Sequence, residues 1–196
     1  SDEYSTILKN LDLKLVKVID THIHADHISA LNELNKRTNC IRVMGEKSKS
    51  EVIDLRIKDG EKINVEEVEL QAIYTPGHTD CSYSFLMNDR VFTGDTLLIN
   101  GSGRTDFQNG NAYDAYDSIF NKLLKLPEKT LVFPAHDYNG KKFSTIENEK
   151  NNNPRLQVSS KEEYADIMNN LNLANPKMMD VAVPANVKGL TLDNIN

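Results

Sequence analysis

Three of the chain's five histidines fall in one six-residue window, His22-Ile23-His24-Ala25-Asp26-His27. The other two stand alone, in Thr75-Pro76-Gly77-His78 and Pro134-Ala135-His136. Each of these places follows an apolar, β-branched run: Leu13 to Ile19, Val68 to Thr75, and Leu131 to Phe133. A fold that accommodates this pattern must bring several strand ends together. Residues two apart in an extended segment point to the same side, so His22 and His24 share a face, and Asp26 and His27 turn towards the next helix. Asp95 ends a further apolar run, Phe92-Thr93-Gly94-Asp95, behind a glycine that lets the backbone turn. Neutral imidazole and carboxylate are the usual ligands of zinc and non-haem iron. A lone histidine is more often a core residue, and a lone Thr-Gly-Asp is more often a turn. The combination at strand ends makes His22, His24, Asp26, His27, His78, Asp95 and His136 a candidate metal site.

The rest of the chain reads as strands alternating with helices, an α/β pattern. Helical spacing is expected from Glu3 to Leu11, Ile28 to Arg37, Ala112 to Leu126 (stopped by Pro127), Thr145 to Asn151 and Lys161 to Leu171. Cys40 to Met44 is a short strand, and Ser82 to Met87 with Arg90 to Thr93 is a hairpin turning at Asn88-Asp89. No internal repeat and no low-complexity linker interrupts the chain, so residues 1–196 are expected to form one domain.

Composition narrows the partners. With 196 residues and 39% hydrophobic content the chain can bury a sizeable core. A net charge of -6 argues against general nucleic-acid binding, which needs a basic face. No apolar run reaches the length of a membrane span and no signal peptide opens the chain, so no membrane association is expected. The two cysteines, Cys40 and Cys81, lack zinc-finger spacing. They read as non-catalytic thiols of a reducing compartment, cytoplasm or mitochondrial matrix.

The ordered set of histidines and aspartates resembles the metallo-β-lactamase superfamily, which implies an αββα sandwich with the metal at the edge between two sheets. Further runs tighten the resemblance: Gly101-Ser102-Gly103-Arg104-Thr105-Asp106-Phe107, Pro134-Ala135-His136-Asp137-Tyr138, Asn153-Pro154-Arg155-Leu156 and Val183-Pro184-Ala185-Asn186. Together, from about Val18 to Asn186, they resemble the persulfide dioxygenases. The chain departs from that family at Asp80-Cys81, where a Pro-Gly pair is usual. Family members also begin with strands ahead of the first helix. The first sheet is therefore expected to lack those strands, or the domain to be incomplete at its N terminus. An uncovered sheet edge can pair with another chain, so a homodimer is among the expected assemblies.

The resemblance implies one Fe(II) per chain, held by His22, His78 and Asp95 as a two-histidine, one-carboxylate triad. His24, Asp26, His27, His136 and Asp137 then support that centre. In the rival reading, a glutathione thioester hydrolase of the glyoxalase II kind, the same region holds two zinc ions. A non-catalytic member that keeps the fold as a binding module is the third reading. In the dioxygenase reading glutathione persulfide and dioxygen are the partners. Arg104 is then the expected catalytic and substrate-binding cation, its fork matching either a glutathione carboxylate or Asp106. Tyr138 is expected to place its hydroxyl near iron or substrate, or to pack.

Overall fold

The computed structural model describes residues 2–195 and contains two facing sheets. The first has three parallel strands in order, β1 (Lys17–Ile19), β2 (Ile41–Gly45) and β3 (Leu55–Ile57). The second has six: β4 (Lys62–Val65), β5 (Val68–Tyr74), β6 (Tyr83–Leu86), β7 (Arg90–Gly94), β10 (Leu131–Pro134) and β11 (Ser144–Thr145), ordered β11-β10-β7-β6-β5-β4. All its pairs are antiparallel except β7 with β10. A two-stranded ribbon, β8 (Leu97–Leu98) and β9 (Gly101–Ser102), follows β7. The helices are α1 (Asp2–Asn10), α2 (Leu31–Thr38), α3 (Ala112–Tyr116), α4 (Ile146–Asn152), α5 (Lys161–Asn169) and α6 (Met179–Lys188).

The apolar clusters define the layers. Between the sheets lie Val43 and Ile57 from one side and Ile63, Ala72, Tyr83 and Phe85 from the other. Outside the first sheet, Leu31 of α2 and Val183 and Val187 of α6 pack with Met44 and Cys81. Outside the second, Val91 and Val132 pack against Ala115, Ile119, Leu123, Ile146, Tyr164 and Met168. Strand alternation makes this double-sided packing work. In β7, Val91 faces the helices while Phe92 packs toward the inter-sheet cluster. The expected αββα sandwich is the observed one, with three strands in its first sheet among the described residues.

Several boundaries differ from expectation for visible reasons. β1 starts at Lys17 rather than Leu13, because only Lys17 to Ile19 find partners on β2. α2 starts at Leu31 rather than Ile28, because Ser29 is used in turning the chain. Its hydroxyl donates to Asp20, and its amide donates to Asn186 Oδ1. The segment Ala112 to Leu126 begins as an α-helix capped by Asn111. It then widens into a π-helical stretch (Asp117–Lys122) and tightens into a 3-10 turn (Leu123–Lys125). β3, β4, β8, β9, β11 and α6 are unanticipated. α6 hides behind Pro184 in its interior, a residue that normally argues against a helix.

Ile119 is fully buried in the π-helical stretch, which packs against the six-stranded sheet. Ile119→Ala is expected to cost about 2–5 kcal/mol. Urea unfolding should show a lower midpoint at unchanged slope. A loss below about 1 kcal/mol would mean that the cluster closes over the gap.

Candidate metal centre

All four segments that carry the candidate ligands leave the C-terminal ends of strands: residues 20–27 after β1, 75–78 after β5, 95 after β7 and 135–136 after β10. They converge on Asp95. Its Oδ2 lies 3.5 Å from His78 Nε2, 3.7 Å from His136 Nε2 and 3.9 Å from His22 Nε2. None of these is a hydrogen-bond distance for N–H···O. His22, His78 and Asp95 each offer one donor atom, and the three atoms lie within 4.8 Å of one another. His24, Asp26 and His27 form a second such group, in which Asp26 and His27 are exposed. His136 belongs to neither group, but its Nε2 also lies 3.4 Å from Asp26 Oδ2.

The outer atoms of the rings are already committed. His78 Nδ1–H donates to the Arg104 carbonyl at 2.8 Å, which fixes the tautomer and leaves the Nε2 lone pair towards Asp95. His22 Nδ1 lies 2.9 Å from Thr21 Oγ1. Burial, then the neighbouring His24 and His78, hold His22 well below the usual imidazole value. Burial pushes His24 down to about 4. Both rings are therefore neutral at pH 7, the form that binds metals. Asp95, by contrast, is mostly buried, and among the described residues neither its Oδ1 nor His24 Nδ1 has a hydrogen-bond partner. Buried carboxylate oxygens without donors are costly unless a cation meets them. The donor set therefore fits a metal ion.

Glycines let the strand ends approach. At Gly94 the backbone is left-handed (φ +52°), and a Cβ there would stand 2.6 Å from Thr21 Oγ1. At Gly103 a Cβ would stand 2.0 Å from the Asp95 carbonyl oxygen and 2.9 Å from His78 Nδ1.

The six-residue histidine window is held from far along the chain. Asn186 Nδ2 donates to the carbonyls of His24 and His27, both at 2.9 Å, and Asn186 Oδ1 accepts from Ser29 N at 2.8 Å. One side chain of α6 thus closes three backbone hydrogen bonds of the loop. Sequence reading met Asn186 only as part of the Val183–Asn186 run. Three satisfied partners about 160 residues away leave no local mark.

The centre opens into a cavity of about 550 Å³ whose lining includes His22, Asp26, His78, Asp95, Arg104, His136, Tyr138 and Arg155. Arg104 grips Asp106 with Nε and Nη2, both at 2.7 Å, and donates to the Ala174 and Leu173 carbonyls at 2.7 and 3.3 Å. Its guanidinium lies over the Phe107 ring at 4.3 Å. The hydrogen bonds from Arg104 hold the Asp106 carboxyl below its usual value. Tyr138 is 85% exposed, its ring parallel to His136 with centroids 6.2 Å apart. Asp137 accepts from the amides of Asn139 and Lys141, closing the loop after His136. Cys81 is buried among apolar residues, and burial pushes its thiol up. Asp80 meets Lys49 and Asn109, so the departure at Asp80-Cys81 is absorbed by packing and surface pairing.

Residues 5–136 match the metallo-beta-lactamase superfamily. The persulfide dioxygenases ETHE1 of Homo sapiens and Mus musculus are 44% and 43% identical to the chain over 185 residues, covering 93% of it and 72% of their own lengths. The chain belongs to the persulfide dioxygenase family. The crystal structure of the family member ETHE1 from Myxococcus xanthus superposes with a TM-score of 0.93 at 47% identity, over 95% of this chain and 82% of that one. Family membership and the donor set agree that the centre is a metal site. Among the described residues no helix is long and apolar enough to cross a membrane.

Asn186→Ala removes two donors and one acceptor from the loop and should cost about 1–3 kcal/mol of stability. Asn186→Asp should be worse, because it points a carboxylate oxygen at two carbonyls. Melting temperature and metal retained after dialysis report both. Equal stability of the alanine variant and wild type would show that the loop holds itself.

Proposed function

We propose that the chain oxidises glutathione persulfide with dioxygen and water to sulfite and glutathione, using one ferrous ion held by His22, His78 and Asp95. The observation that carries this reading is the triad itself: two imidazole nitrogens and one carboxylate oxygen, with both rings preset by partners on their far sides. Such a facial set suits non-haem Fe(II) oxygenases. When bound, the iron supplies the redox chemistry that dioxygen needs and that zinc cannot.

The chain's own residues do the rest. The Arg104 carbonyl and Thr21 hydroxyl keep His78 and His22 aimed. Asp26, His27 and His136 form a polar border beside the triad that orients water. Leu98, Leu173, Ala174 and Pro176 give the cavity an apolar wall that limits water around the sulfur. Arg104 acts on substrate binding through the 173–174 segment it clamps, and Tyr138 borders the opening. The second group, His24, Asp26 and His27, favours the two-zinc hydrolase as the alternative. Metal identity separates the two.

Protein purified without added metal should carry about one iron and no zinc per chain, and should consume oxygen when given glutathione persulfide. Two zincs and thioester hydrolysis would sink the dioxygenase reading. His78→Ala should lose iron, since it removes one of three protein ligands. An iron content equal to wild type would show the ligand choice to be wrong.

Arg104→Ala keeps the carbonyl that holds His78, so iron should stay while KM rises about tenfold or more. Asp106→Ala should give the same loss, and the double variant no more than either alone. Additive losses would instead mean that Arg104 touches the substrate directly.

A further inference from the structure

We infer that Asn139 is a site of spontaneous deamidation, through which its side-chain amide becomes a carboxylate beside the opening of the cavity. The chain carries three Asn-Gly pairs, Asn100-Gly101, Asn109-Gly110 and Asn139-Gly140. Glycine lacks the side chain that would shield its amide, so that nitrogen can attack the asparagine side-chain carbonyl. The C–N bond that forms closes a five-membered succinimide, and ammonia leaves with the glycine amide proton. Solvent water then opens the ring. Attack at the former side-chain carbonyl gives aspartate, and attack at the main-chain carbonyl routes the backbone through the side chain as isoaspartate. The net change consumes a water and releases an ammonia.

The sequence gives the three pairs equal standing, and the fold separates them. Asn100 and Asn109 are held in left-handed turns, at φ +55° and +57°. The Gly110 amide donates to the Phe107 carbonyl at 2.7 Å, and Asn109 Nδ2 donates to Asp80 Oδ2 at 2.9 Å. The Asn100 amide donates to buried Glu149 at 2.8 Å, while Gly101 pairs with Leu98 and its carbonyl accepts from Asn153 Nδ2. Reaction at either pair first requires these contacts to open. Asn139 and Gly140 are both exposed and lie outside any helix or strand. Among the described residues no hydrogen bond reaches the Asn139 side chain or the Gly140 amide, and a Cβ on Gly140 would meet nothing within 4 Å. On either side the chain is pinned: the amides of Asn139 and Lys141 donate to Asp137 Oδ2 at 2.9 and 2.7 Å. The reacting unit is a free span between two fixed points.

The same loop follows His136 and Tyr138, which line the cavity. Aspartate at position 139 adds a negative charge near an opening that admits an anionic substrate, a consequence that rests on the glutathione persulfide reading above. Lys141 and Lys142 stand on the loop as well, so the effect is that of an exposed charge. Isoaspartate does more, because its extra backbone carbon falls inside the span that Asp137 closes.

Folded wild type aged at neutral pH, then digested and weighed peptide by peptide, tests the chemistry. Asn139 should gain about 1 Da, an amide exchanged for an acid. It should do so about tenfold or more faster than Asn100 and Asn109, the protection given by hydrogen bonds that must open first. In urea the three rates should draw level. Equal rates at the three sites in the folded chain would overturn the assignment. So would an Asn139 that stays intact in the folded chain but reacts in urea, and neither result needs a variant to fold.

Iron-loaded Asn139→Asp carries the charge without the longer backbone. Its KM for glutathione persulfide should rise about two- to fivefold, the size of an exposed charge interaction. Added salt should shrink that rise. Aged wild type should lose more than this variant, in proportion to its isoaspartate content, and Asn139→Gln aged alongside should hold its activity. Unchanged kinetics in both Asn139→Asp and fully converted wild type would overturn the link to the cavity. Absence of oxygen uptake by unaged wild type, together with the mass gain at Asn139, would instead sink the dioxygenase reading and leave the modification site standing.

Discussion

Three imidazole nitrogens face a single carboxylate oxygen, Asp95 Oδ2, at 3.5 to 3.9 Å, and none of them hydrogen-bonds to it. Left alone this arrangement is unfavourable. Burial holds His22 well below the usual imidazole value, so it does not compensate Asp95 as a cation. Among the described residues no donor meets the other Asp95 oxygen. A divalent cation resolves both problems at once, and ligand sets of this kind couple metal binding to the stability of the segments that carry them. The sandwich must hold four loops in a geometry that the loops would not choose by themselves.

It does so from outside the cluster. Thr21 and the Arg104 carbonyl occupy the far nitrogens of His22 and His78. Gly94 and Gly103 remove side chains where β1, β7 and the loop after β9 press together. Asn186 reaches across from α6 to tie the backbone of the histidine window. Each support comes from a different layer or edge of the sandwich. Preorganisation is therefore a property of the whole fold, and a change in α6 can reach the metal without touching it.

This division explains what could be read from the chain. The candidate ligands were legible because their spacing is local: His22 to His27 is one window, and His78, Asp95 and His136 each end an apolar run. The αββα layering followed from the resemblance, and α2, α3, α4 and α5 from their helical spacing. The supports were not legible, because each is a contact between distant segments. Asn186 and Ser29 are 157 positions apart. α6 was masked by Pro184. β3, with the sequence Leu55-Arg56-Ile57, exists because β2 offers it a parallel edge, which three residues cannot announce.

Arg104 and Arg155 carry this point into the cavity. Both lie in runs that carry the family resemblance, and Arg104 was expected to meet either a glutathione carboxylate or Asp106, two residues away. That proximity commits its side chain: the planar fork closes on Asp106 and on the 173–174 carbonyls, and it becomes part of the wall. Among the described residues no carboxylate pairs with Arg155. Its anchors are the neutral oxygens of Ser102, which hold the guanidinium in place without cancelling its charge. A residue type sets what chemistry is available, but the neighbour that reaches it first decides whether that chemistry is spent on the fold or left for a ligand.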